Sequence, residues 1–177
     1  MPTRLPQKPA QAFIDQFLLQ DWDPAGAVGY DTTASPGAEA FVDLATSVHK
    51  TGESFPTLVV QGSTETSGGA STYDFVTTNG PGQMRDGQLL VTARAEDQGG
   101  ENYTGDSSTY AAVDAEDIVA TLIDEVEDVC IRNANGGSSE FNALGSQPVA
   151  DAPNDYDETP TVLIDQCTVS YSWDRAP

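Results

Sequence analysis

Positive charge is what this chain lacks most. Of its 177 residues only seven are Lys or Arg, against 28 Asp or Glu, leaving a formal net charge of −21. Lysine occurs only at positions 8 and 50. A surface this poor in cations excludes a protein that grips nucleic acid through its phosphates, and one drawn to an anionic membrane. There is one histidine, His49. A histidine-rich zinc site is therefore excluded, and a Ser-His-Asp relay has a single candidate base. His49 lies beside Lys50 and Gly52, where a solvated turn residue is the simpler reading. The two cysteines, Cys130 and Cys167, have no Cys-x-x-Cys partner and read as buried free thiols. No apolar run approaches the roughly 18 residues that a membrane-spanning helix needs, and residues 1–10 hold no apolar signal-peptide core. The expectation is a soluble protein made in the cytoplasm. Neither a Gly-x-Ser-x-Gly elbow nor a Gly-x-x-x-x-Gly-Lys phosphate loop is present. The reading is of a chain that is not an enzyme and carries no cofactor.

The acids that are present lean to Asp over Glu, a composition that resembles salt-in halophilic proteins. In ~1 M salt the screening length falls to ~3 Å, so self-repulsion of so acidic a fold largely vanishes. Disorder is a poor alternative, because 38% of residues are hydrophobic and the pattern is periodic. Clusters of carboxylates also need a test as sites. Asp151, Asp155, Asp157 and Glu158 lack the order and central Gly of an EF-hand loop. Asp124, Glu125, Glu127 and Asp128 share a helix with an apolar stripe and read as its wet face. Trp22, Tyr171 and Trp173 read as core aromatics before they read as a ligand cage. No metal or catalytic residue is assigned from these.

Periodicity supplies the architecture. Residues 1–9 form a Pro-rich arm, and residues 10–177 a single domain. Phe13, Ile14, Phe17 and Leu18 predict a short helix over 10–20, stopped before Pro24. Strands are expected within 40–48, where a short helix is the alternative, and over 57–61, 73–77, 88–96, 140–144 and 161–174. The long segments 24–37, 62–72, 79–87 and 97–109 read as loops. The strongest signal is a helix over 110–131, with Ile118, Leu122, Val126 and Val129 on one stripe. The fold class that follows is α+β: a mostly antiparallel sheet packed against one long amphipathic helix, with a short N-terminal helix and long loops.

The order of these elements carries a resemblance. Phe55-Pro56-Thr57-Leu58-Val59-Val60-Gln61 opens a strand, and Leu89-Leu90-Val91-Thr92-Ala93-Arg94-Ala95 forms another. The helix Ala115–Val126 follows, then the alternating strand Gln166-Cys167-Thr168-Val169-Ser170-Tyr171-Ser172-Trp173. In that order the span 55–173 resembles the tail terminator and tail-completion proteins in the neck of long-tailed viruses. The upstream Phe17-Leu18-Leu19-Gln20-Asp21-Trp22-Asp23-Pro24 looks like the opening of neck proteins from haloarchaeal tailed viruses. The resemblance implies a structural virion protein without catalytic residues. It also implies a ring, usually hexameric, between the tail tube protein and the head–tail connector or stopper protein. DNA would pass through such a ring without specific binding. An adaptor or stopper ring of the same neck is the nearest alternative. A non-viral halophilic domain binding a small ligand or cation is the more distant one. Phe55, Met84 and Arg85, placed in or beside expected loops, are the candidate contacts with other subunits or partners.

Overall fold

The computed structural model describes residues 9–23, 43–46, 56–67, 75–77, 80–96, 115–135, 141–149 and 162–175. They form an α+β layer: a sheet with helices against one face. The strands are β1 (Asp43–Ala45), β2 (Thr57–Ser67), β3 (Phe75–Thr77), β4 (Gly80–Glu96), β5 (Phe141–Pro148) and β6 (Val162–Arg175). Spatial order is β1-β2-β4-β6-β5, with β3 pairing the start of β4. Among the described residues the β1–β2 pair alone is parallel; the other pairs are antiparallel. The central strand β4 pairs the whole of β6, from Gln83↔Arg175 to Glu96↔Val162.

Alternation along these strands divides the faces. Leu58 and Val60 of β2, Leu89, Val91, Ala93 and Ala95 of β4, and Cys167 and Val169 of β6 are buried on one side. Onto them packs α2 (Ala115–Arg132), whose Ile118, Leu122, Val126 and Val129 are each at most 1% exposed. Glu116 and Asp117 lie in the first turn of α2 and Arg132 in the last, the arrangement that suits the helix dipole. The helix ends where Asn133 turns back, its backbone N–H and its Nδ2 both donating to the Val129 carbonyl.

The N-terminal helix α1 covers residues 9–21 and starts at Pro9, one residue inside the expected arm. Proline suits a first helical turn because its missing N–H would have no partner there. The middle of α1, Ile14–Leu18, is π-helical. The wider i→i+5 turn lets Phe13, Ile14, Phe17 and Leu18 all point inward, none more than 5% exposed. Phe17 meets Phe141 of β5 edge-on at 5.5 Å between ring centroids, and Phe141 meets Tyr171 of β6 at 5.6 Å and 89°. An aromatic row thus ties α1 to the far end of the sheet.

Two expected connections prove to be strand. Residues 80–87 belong to β4, and β2 continues past Gln61 to Ser67. Partners on other strands explain the first: Asp86 pairs both Thr66 and Ser172, and Gly80, Pro81 and Gly82 pair β3, so backbone pairing overrides the weak strand propensity of Gly80, Pro81, Gly82 and Gly87. Edge strand β5 is blunted in three ways. It carries an irregularity between Phe141 and Ala143, its Leu144 N–H donates to the Ala134 carbonyl after α2, and it ends at Pro148.

Candidate functional site

Of the three contact residues assigned from sequence, Met84 and Arg85 fall within the described residues. Met84 and Arg85 stand within β4 rather than in a loop, opposite Asp174 and Trp173 of β6. That corrects the loop placement, and the cause is the continuous β4–β6 ladder. Phe55 lies outside the described residues, as do His49 and the acidic group Asp151, Asp155, Asp157 and Glu158. Trp22 and Tyr171 are 4% and 5% exposed and belong to the core rather than to a cage. Cys130 and Cys167 are free and buried on facing elements, α2 and β6. Burial pushes both thiols up, Cys130 to about 12, so neither is a ready nucleophile. Among the described residues no group of three or more His, Cys, Asp or Glu is arranged to hold a metal ion.

Three features of the surface do stand out. The first is a clamp between the helices. Arg132 Nε reaches Asp21 Oδ2 at 3.2 Å, while its Nη2 donates to the Asp21 carbonyl at 2.9 Å and to Glu125 Oε1 at 2.8 Å. Asn133 Nδ2 adds a bond to Asp21 Oδ2 at 2.8 Å. A guanidinium suits this task because its fork serves several acceptors at once.

The second is a seam of like charge between α2 and β6. Asp165 occurs on the helix-covered side of β6, level with Ala93 and between Leu163 and Cys167. Desolvation raises its carboxyl above the ordinary range, and Asp124 raises it further, against a backbone hydrogen bond from Gln166. Glu127 is raised as well, first by desolvation and then by Asp124, Asp165 and Asp128. Its Oε1 is buried without a hydrogen-bond partner. The seam is a cost to folding, and its residues would draw a proton more readily than a free carboxylate does.

The third is a groove on the sheet face turned away from α2. Its volume is ≈ 490 Å³, and residues of β4, β5 and β6 line it. The floor is small and nearly uncharged: Gly87, Ala143, Gly145, Ser170 and Ser172, with Asp86 as the one charged residue lining it. The Ser170 hydroxyl donates to the Gly145 carbonyl at 3.4 Å. A Cβ at Gly145 would come within 3.1 Å of that hydroxyl, so the small residue keeps the floor open. The helical side differs sharply. α2 carries Glu116, Asp117, Asp124, Glu125, Glu127 and Asp128 against one cation, Arg132, and α1 adds Asp15 and Asp21.

Sequence reading missed the groove because its residues come from three separated strands and none is chemically conspicuous. The seam had a visible signal in Asp165, the only charged position within the alternating strand 163–173. The chain matches no protein-family model, and no curated protein sequence matches it.

Proposed function

We propose that this chain is a structural virion protein of the head–tail junction, acting as the terminator ring that caps the tail tube and joins it to the head connector. The observation that supports the reading is the order of elements. The sequence 55–173 resembles that of neck proteins, and β2, β4, α2 and β6 follow in that order to build one sheet against one long helix. Such a protein works by shape and attachment. Its core has long paired strands through the centre, and the helical side of its described residues is acidic. Carboxylates on a surface passed by DNA repel phosphates and leave nothing to grip.

Light scattering on the full chain in molar salt tests the reading together with mass spectrometry of purified virions. A closed ring in solution, and the chain present in virions at the stoichiometry of the neck, are the expected results. A monomer at every concentration together with absence from virions would overturn it.

A further inference from the structure

We draw no further inference here: the strongest candidate, the carboxylate seam of Glu127 and Asp165 between α2 and β6, is a cluster of acidic side chains that no second feature of the fold marks as a binding site, and its readier uptake of protons belongs to the site already described.

Discussion

The attachment of α1 to the sheet is the most quantitative feature of the fold. Phe17 and Phe141 lie 5.5 Å apart at 65°, both at most 3% exposed, so their rings touch in the edge-to-face geometry that aromatic pairs favour. Truncating either to Ala would cost about 3–5 kcal/mol. The double truncation would then consume most of a typical domain's ~5–15 kcal/mol. Leucine is the better probe, because it keeps much of the volume and removes the aromatic edge and face. Each single Phe→Leu change is expected to cost ~0.5–3 kcal/mol. The double mutant should be less destabilised than the sum of the two by ~0.5–1.5 kcal/mol, the value of an aromatic pair beyond its buried area. Urea unfolding of all four proteins, at one salt concentration and with equal m-values, measures that coupling. Tyr171 is the useful control partner: it contacts Phe141 but not through Phe17. If the two changes add to within about 0.3 kcal/mol, the rings are independent and α1 is not held by this contact.

The carboxylate seam predicts an unusual pH response. Asp165 and Glu127 have folded pKa values above their ordinary ones. The folded state therefore binds more protons between the ordinary and the raised value, and stability falls as pH rises through that window. Urea midpoints should accordingly climb as pH drops from neutral into the upper carboxylate range, and Asp165→Asn or Glu127→Gln should raise the neutral-pH stability by ~0.5–2 kcal/mol and flatten the climb. A parent whose stability declines steadily from neutral pH downward would contradict the assignment. At the helix clamp, Arg132→Gln should cost about 1 kcal/mol at low salt, since exposed ion pairs contribute ~0.2–1 kcal/mol each. The loss should shrink in molar salt, and Arg132→Lys should recover only part of it, because one ammonium cannot serve Asp21 and Glu125 as the fork does. Amide exchange in α1 that is unaltered by Arg132→Gln would show that the clamp does not hold the helix.

What the sequence made legible was what local periodicity controls. The stripe of α2, the buried faces of β2 and β4, and the alternation of β6 each follow from residues a turn or a pleat apart, and the α+β class follows from them. Ladder extension was not legible. Gly80, Pro81, Gly82 and Gly87 read locally as a connection, yet β4 runs through them because β3, β2 and β6 supply backbone partners from elsewhere in the chain. Met84 and Arg85 were misplaced for that reason. β5 had the same problem on a smaller scale: Gly145, Ser146 and Gln147 are weak strand residues recruited by a longer neighbour. The parallel pairing of β1 with β2 left no trace in the pattern, since alternation is the same for either direction. The π segment of α1 was equally silent, because one inserted residue shifts a stripe without erasing it.

The acid excess takes on a more specific meaning once the faces are known. As a composition it describes solvent, and any acidic protein in strong salt would share it. Among the described residues the carboxylates crowd the helical side, while the groove on the opposite face is lined by Asp86 alone of the charged residues. A chain of net charge −21 that must meet copies of itself needs such a partition, since two uniformly acidic surfaces repel wherever salt does not screen them. The partition allows contact in one sense, acidic side to neutral side, and opposes acidic side to acidic side. Lowering salt should therefore weaken any assembly far less than the total charge suggests, because the groove contributes one carboxylate to the contact. An assembly that dissociated as steeply in dilute salt as one between two uniformly acidic surfaces would mean that its contacts do not use this partition.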